Sequence, residues 1–426
     1  MTAEIGLLNK TNVVLAADSA VTNGLYQKSF NTANKLFPLS NYEPVGIMIY
    51  NNAEWMSIPL EIIIKSYTKQ LNETNFPTLV EYRDDFLRFL KNNFNQFISN
   101  EQIIEIIEYR LYLTLDVITE IFEEKLNDEI DKLQKENKTF NIKDVKQKIF
   151  FDVIDKISQI KEDVLSEFEN YKIEEFKLEY KAIIDKILPG FFIHNKIEKT
   201  QKITNRIYKR LYHEFICQFS ENEDFSGIVI AGYGYDEIFP SICELKIAEI
   251  ISNKLRYQTS EVQTINNHMT AVICPFAQRD VVDTFIRGVS TTYISSLADK
   301  ILDNIIDAAK KLSDEKKYDF DLLMEELIPA IDKSIEYADD LSYKNHIEPI
   351  VNSISFLRKE DLIEIAESLI HLTSIKRKTS KDIQSVGGPI DIAVITKHEG
   401  FVWIKRKDIV NHNLNSAYYN REFKKI

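Results

Sequence analysis

Three residues near the start of the chain have types and a spacing that could support nucleophilic catalysis. Thr2 follows Met1, the carboxylate of Asp18 comes sixteen residues after Thr2, and Lys35 stands shortly beyond, just before another apolar run. A threonine exposed by removal of Met1 would carry both a hydroxyl nucleophile and a free α-amine that can act as its base. These residues therefore predict cleavage of a carbonyl compound by an N-terminal threonine.

The same residues also have a non-catalytic interpretation. Thr2 is a common kind of residue after a methionine, Asp18 could cap a turn after a strand, and Lys35 could be solvated. The apolar neighbours of Asp18 and Lys35 favour positions that face inward instead. We therefore expect both charged side chains to lie in the interior, near Thr2.

The overall charge excludes some function classes. The 426 residues include 66 acidic and 53 basic side chains, which gives a formal net charge of −13. Proteins that coat nucleic acid need clustered Lys and Arg to neutralise phosphates, so we expect no nucleic-acid partner. The three cysteines and seven histidines show no metal-ligand spacing, and we expect neither a metal nor another cofactor.

The apolar segments indicate a chain outside the membrane. No apolar run approaches the roughly 20 residues that span a bilayer. Glu4 and Asn9-Lys10 interrupt the first apolar stretch, so it lacks the central part of a secretory signal. We expect a cytoplasmic protein with no membrane contact.

Strand-like and helical segments divide the chain. Short apolar runs bounded by polar turns predict strands near 4–8, 13–17, 45–50, 226–250 and 390–404. Between Pro77 and Pro189 there is neither glycine nor proline, and apolar residues recur at helical spacing. Pro189-Gly190 is typical of a helix end. An α+β fold follows, with two antiparallel sheets packed face to face, helices outside them and a large helical insertion.

We expect five consecutive parts in this architecture. Three would form one core and two would be helical insertions. In chain order they are core residues 1–95, helical insertion 96–225, core residues 226–299, second helical insertion 300–355, and core residues 356–426.

The strand motifs resemble the proteasome β-subunit-like family of N-terminal nucleophile hydrolases. The specific match is in the first block, where Thr-Ala-Glu-Ile-Gly-Leu (2–7), Val-Val-Leu-Ala-Ala-Asp-Ser (13–19) and Asn-Lys-Leu-Phe-Pro (34–38) resemble the strands that carry that family's nucleophile, aspartate and lysine. The resemblance covers roughly residues 2–75, 225–295 and 355–405. It is looser in the second and third of these ranges. It implies a four-layer αββα sandwich and a threonine-type hydrolase that cleaves peptide bonds.

The resemblance also implies roles for individual residues. Thr2 would attack the substrate carbonyl, and its own α-amine would take the proton, directly or through one water. Lys35 would lower the pKa of that amine by like-charge repulsion, and Asp18 would pair with Lys35. The backbone N–H of Tyr50 would form the oxyanion hole, and Gln278 would support the terminal amine.

The sequence departs from the family pattern at several of these positions. Tyr50 stands where the family has glycine, and Gln278 falls near the place of a Ser-Gly pair. The late Asp and Ser of the family have no clear equivalents, although Thr373, Ser374 and Ser380 are neighbours of that place. The long helical insertions have no counterpart in ordinary proteasome subunits.

Two function classes follow. The first is a peptidase acting on a peptide or protein substrate, assembled as a homo-oligomer. The second is a catalytically inactive protein of the same fold, which binds a protein partner through its helical insertion.

Overall fold

The computed structural model describes residues 2–23, 28–30, 33–136, 138–159, 163–219, 223–314, 319–380 and 386–407. Within these ranges the strands are β1 (Glu4–Asn9), β2 (Val13–Asp18), β3 (Val21–Asn23), β4 (Lys28–Phe30), β5 (Leu36–Pro38), β6 (Val45–Asn51), β7 (Glu54–Trp55), β8 (Ile58–Pro59), β9 (Ser226–Gly232), β10 (Ser241–Ile251), β11 (Lys254–Thr259), β12 (Gln263–Thr264), β13 (Ala271–Ala277), β14 (Ile390–Thr396) and β15 (Gly400–Lys405).

The α-helices of the same ranges fall between these strands. They are α1 (Leu60–Leu71), α2 (Leu79–Asn93), α3 (Asn100–Lys135), α4 (Ile142–Ile157), α5 (Ile173–Asn195), α6 (Gln201–Ile216), α7 (Arg279–Arg287), α8 (Thr291–Asp314), α9 (Phe320–Ser342), α10 (Glu348–Ile354) and α11 (Lys359–Thr379). None of these helices is both long enough and apolar enough to cross a membrane.

Two antiparallel sheets form the centre of the fold. The first has the strand order β13-β1-β2-β14-β15, and the second has the order β11-β10-β9-β6-β5. Apolar side chains of both sheets, among them Leu15, Met48 and Val229, form a core between them. The chain is therefore α+β with two antiparallel sheets, as its strand pattern predicts.

Helices cover the outer face of each sheet. Side chains of α1 and α2 pack on the second sheet, and side chains of α7, α10 and α11 pack on the first. The central strands are thus buried on both faces, and every residue of β1 and β2 is buried. This explains why both strands are continuous apolar runs rather than alternating ones. A charged residue in either strand must find its partner inside the protein.

The helices α3 to α6 lie between α2 and β9 and form a core of their own. Their buried apolar side chains include Leu111, Phe122, Phe150 and Phe176. Farther along the chain, α8 and α9 pack against each other. The α3 to α6 group lies within residues 96–225, whereas α8 begins at Thr291, before the expected second insertion at 300–355. Within that same expected insertion, Ile354 of α10 packs on the first sheet.

The Pro189-Gly190 pair lies inside α5 rather than at its end, so that prediction is wrong. Proline in a helix interior costs about 3 kcal/mol. Leu188, Phe191 and Phe192 flank the pair and are buried in the helical core. Burying each such side chain contributes roughly 1.5–3 kcal/mol, which outweighs the cost of the proline and keeps the helix continuous.

Candidate active site

Asp18 lies beside the first residues of the chain because β1 and β2 are antiparallel neighbours. Ala17 pairs with Glu4, so the end of β2 reaches the start of β1. The backbone N–H of Ala3 donates to Asp18 Oδ1 at 3.1 Å, and the N–H of Asp18 donates to the Ala3 carbonyl at 3.1 Å. Asp18 is therefore held against the backbone of the residue that follows Thr2.

Lys35 reaches the same place from the other sheet. It directly precedes β5, and its carbonyl accepts a hydrogen bond from the N–H of Ile49 at 2.8 Å. Its Nζ lies 2.6 Å from Asp18 Oδ1, and the two side chains are only 2% and 1% exposed. The structure thus brings Asp18 and Lys35 together as a buried ion pair between the sheets.

Thr2 joins this pair through Glu4. The Thr2 hydroxyl donates to Glu4 Oε2 at 2.9 Å, and Glu4 Oε1 lies 3.0 Å from Lys35 Nζ. Thr2 and Glu4 are both buried. The four side chains therefore form one continuous chain of polar contacts: Thr2, Glu4, Lys35 and Asp18.

Burial changes the acidity of Glu4. Removal of the carboxyl from water raises its pKa to about 7, Lys35 opposes this rise, and the nearby charge of Asp18 adds to it. A carboxyl with a pKa near neutrality can both accept and release a proton at physiological pH. This property distinguishes Glu4 from an ordinary surface glutamate.

A second backbone group anchors Asp18. Its Oδ2 accepts a hydrogen bond from the N–H of Gly387 at 2.9 Å. The segment before β14 is thereby tied to the site. This contact could not be expected from the sequence, because Gly387 is 369 residues away from Asp18 along the chain.

Tyr50 is close to the site, but its side chain is packed between the sheets instead of leaving room for a substrate. Its ring lies 5.7 Å from that of Phe276, and its hydroxyl donates to the carboxylate of Glu244. Burial, together with Glu244, holds the pKa of this phenol well above its ordinary value. The side chain fills space between the sheets, over Gly227.

The backbone of Tyr50 points away from Lys35. The N–H of Ile49 faces Lys35, and successive N–H groups of a strand face opposite edges. The N–H of Tyr50 is consequently directed to the β9 side, where Tyr50 pairs with Gly227. This geometry does not favour the Tyr50 N–H as an oxyanion donor, and that assignment stays a prediction.

Gln278 directly follows β13, at the end of that strand that lies beside the first residues of the chain. Ala277 pairs with Glu4, so Gln278 lies one position farther, near Ala3. Its backbone is left-handed, with φ of 53°. Its Oε1 is buried and accepts no hydrogen bond from the described residues. Gln278 therefore lies beside the start of β1, and its side-chain oxygen is available to accept a hydrogen bond.

The three hydroxyl residues considered for the late part of the site bond to backbone carbonyls. The acceptors are Leu369 for Thr373, Val386 for Ser374 and Arg377 for Ser380. The bonds of Thr373 and Ser380 are typical of hydroxyls on and after a helix, and that of Ser374 joins α11 to the segment before β14. They explain the three side chains without a catalytic role.

Glu4 is the functional candidate that the sequence interpretation missed. In the sequence its charge interrupts an apolar stretch. Glu4 begins β1 only two residues after Thr2, so the two side chains are close in the chain. An acidic residue directly before the apolar run 5–8 and two residues after Thr2 is the signal that could have found it.

Comparisons with known proteins do not place the chain in a family. No family model matches it, and no curated protein matches it. The assignment to the proteasome β-subunit-like family is therefore wrong. Its motifs span only a few short strands, which is too little sequence to establish descent.

Among solved structures that match is an Anbu (Gly-1) mutant from Hyphomicrobium sp. strain MC1. The match covers 100% of this chain and 97% of that chain, at 9% sequence identity and a TM-score of 0.28. A similarity this weak carries no argument about fold or function.

Proposed function

We propose that this protein hydrolyses amide bonds, most simply those of peptides, with Thr2 as the nucleophile after removal of Met1. The observation that carries the proposal is the buried chain of contacts from Thr2 through Glu4 to Lys35 and Asp18. A hydroxyl that donates to a carboxylate beside a fixed ammonium group has the arrangement of an activated nucleophile.

The reaction needs two displacement steps. The Thr2 oxygen attacks the amide carbon, the amine leaves, and an ester to Thr2 remains. Water then cleaves that ester and restores the hydroxyl. Removal of Met1 would expose the α-amine of Thr2, which the sequence interpretation assigns as the base.

Burial of the charged groups supports this proposal. Lys35 and Asp18 are held in the interior by each other and by backbone N–H groups of Ala3 and Gly387. Such charges cannot reorient as they would in water, so their field at Thr2 is preorganised. A charge arrangement of this kind costs stability, which is consistent with a functional use.

A protein-binding role is the second candidate, and two observations favour it. Thr2 is only 2% exposed, so an external substrate reaches its hydroxyl only after neighbouring residues move. The long helix α3 also leaves Tyr109, Leu113 and Val117 exposed to solvent, at a spacing of four residues that places them on one face. Contiguous exposed apolar side chains are typical of partner surfaces. The helical region could then bind a protein partner without catalysis.

Two measurements on protein purified without a tag separate the candidates. The intact mass tells whether Met1 has been removed. A peptide library incubated with the wild type and with Thr2→Ala tells whether Thr2 cleaves amide bonds. Loss of Met1 together with Thr2-dependent cleavage supports the hydrolase. A folded protein that retains Met1 and cleaves nothing overturns it and favours the binding role.

We further propose that copies of the chain associate with one another. The helices α8 and α9 leave Tyr293, Leu297 and Tyr337 exposed beside a groove of about 330 Å³ lined by apolar residues. Light scattering at several protein concentrations tests this. A mass of 49.7 kDa at every concentration would contradict it.

A further inference from the structure

Glu4 differs from Asp18 in what its oxygens contact. Asp18 Oδ1 accepts from Lys35 and from the Ala3 N–H, and Oδ2 accepts from the Gly387 N–H. Each Asp18 oxygen therefore holds a backbone group in place. Glu4 Oε2 instead accepts the Thr2 hydroxyl, the one group at this site that would react.

The surroundings of Glu4 suit proton transfer. Among the described residues, the titratable groups that face it are Asp18 from β2, Lys35 before β5 and the Tyr50 hydroxyl from β6. Burial of the carboxyl raises its pKa to about 7. A base with a pKa near the working pH is effective because it can take up a proton and later return it.

We infer that Glu4 is the general base of the proposed hydrolysis and accepts the proton of the Thr2 hydroxyl directly on Oε2. This rests on the proposed function and names a residue for its proton-transfer step. As the bond from Thr2 Oγ1 to the amide carbon forms, the hydroxyl proton passes to Glu4 Oε2. When the bond from carbon to nitrogen breaks, that proton passes to the leaving amine.

The second half of the reaction uses the same carboxyl. A water molecule attacks the ester on Thr2 and gives one proton to Glu4. That proton returns to Thr2 Oγ1 as the ester bond breaks, and the carboxylic acid product is released. No oxidant or reductant is needed, because every step moves a proton between Thr2, Glu4, water and the leaving amine.

One consequence separates this assignment from an α-amine base. The Glu4 carboxylate contacts the hydroxyl while Met1 still precedes Thr2, and the nitrogen of Thr2 is then an amide without basicity. Proton abstraction by Glu4 does not depend on a free α-amine.

The test measures acylation of Thr2 by a peptide β-lactone, with the site of the adduct mapped by tandem mass spectrometry. Rates are measured from pH 5 to pH 9 for the wild type, Glu4→Gln, Glu4→Asp and the matched control Glu124→Gln, which alters an exposed glutamate of α3. Circular dichroism checks folding. Protein made with methionine aminopeptidase inhibited provides the form that retains Met1.

We expect the wild-type rate to rise with pH through about 7, following ionisation of Glu4. Glu4→Gln should lower the rate by about 100-fold or more and remove this rise, and Glu124→Gln should change neither. Glu4→Asp, whose carboxylate is set back from the hydroxyl, should also be slow. The form that retains Met1 should still be acylated at Thr2.

Other results would overturn the inference. Wild-type rates and pH dependence in a folded Glu4→Gln would show that Glu4 is not the base. Acylation confined to the form without Met1 would assign the proton transfer to the α-amine and leave the proposed function intact. A folded wild type that is never acylated at Thr2 would overturn the proposed function itself.

Discussion

Thr2 Oγ1 lies 2.9 Å from Glu4 Oε2, so the first hydroxyl of the chain donates to a carboxylate that is wholly buried. Thr2 stands two residues before Glu4, which begins β1, so this contact is local in the chain. Lys35, on the other side of Glu4, comes from the opposite sheet. The contact therefore depends on correct packing of the two sheets.

Replacement of Thr2 should remove the proposed activity without unfolding the protein. Thr2→Ala deletes the nucleophilic oxygen, and peptide cleavage should fall by about 1,000-fold or more. Thr2→Ser keeps the oxygen and should retain measurable cleavage. Initial rates on a peptide library, with circular dichroism as a check on folding, test this. Equal rates for Thr2→Ala and the wild type would contradict it.

Breaking the buried ion pair should destabilise the fold strongly. Lys35→Met leaves the Asp18 carboxylate buried without its cation, and loss of one partner of a buried pair costs about 3–5 kcal/mol. The free energy of unfolding from urea titration measures this. Lys143→Met is a matched control, because Lys143 pairs with Glu198 at 2.6 Å on the exposed surface. The control should show no measurable change, and equal effects of both variants would refute the prediction.

Stability should depend on pH through Glu4. Its pKa is about 7 in the folded chain against an ordinary 4.5, so the folded state binds the proton more tightly than the unfolded state. The stabilisation from this proton is complete below pH 4.5 and is lost as the pH rises through about 7. Glu4→Gln cannot ionise, so it should lose less stability than the wild type between pH 4.5 and pH 8.

Urea unfolding of the wild type and of Glu4→Gln at pH 4.5 and pH 8 tests whether the pKa of Glu4 is raised or lowered on folding. The comparison cancels the titration of groups that the two chains share. A wild type that gains stability relative to Glu4→Gln as the pH rises would show that the pKa of Glu4 is lowered by Lys35 rather than raised by burial.

The same substitution at two glycines should have opposite effects. A Cβ at Gly227 would overlap the ring of Tyr50, and both residues belong to the packed interior. Gly227→Ala should therefore destabilise the protein by about 1–3 kcal/mol. Gly190 lies in helix α5 with nothing near its Cβ position, so Gly190→Ala should stabilise by about 0.5–1 kcal/mol. Thermal unfolding of the two variants measures the difference.

The sequence is sufficient to predict several of the core strands because these are short apolar runs between polar turns. The expected runs at 4–8, 13–17 and 45–50 correspond to β1, β2 and β6 within one residue at each end. The pairing of Asp18 with Lys35 could also be anticipated, since a carboxylate and an ammonium in apolar surroundings must meet to be buried. Apolar runs and the charged residues beside them were therefore enough to predict these central strands and the ion pair between them.

Contacts between distant segments could not be predicted. Gly387 bonds to Asp18, and Glu244 bonds to Tyr50, only because the sheets bring those segments together. The helix through Pro189 shows the same limit, because its continuity depends on tertiary packing of Phe191 and Phe192.

The most direct test of the central claim is site-mapped mass spectrometry of the folded, untagged wild type after treatment with a peptide β-lactone. If Thr2 is the nucleophile, one adduct forms on Thr2 and is absent from Thr2→Ala. A folded wild type with no adduct on Thr2, or an adduct of equal yield in Thr2→Ala, would contradict the claim.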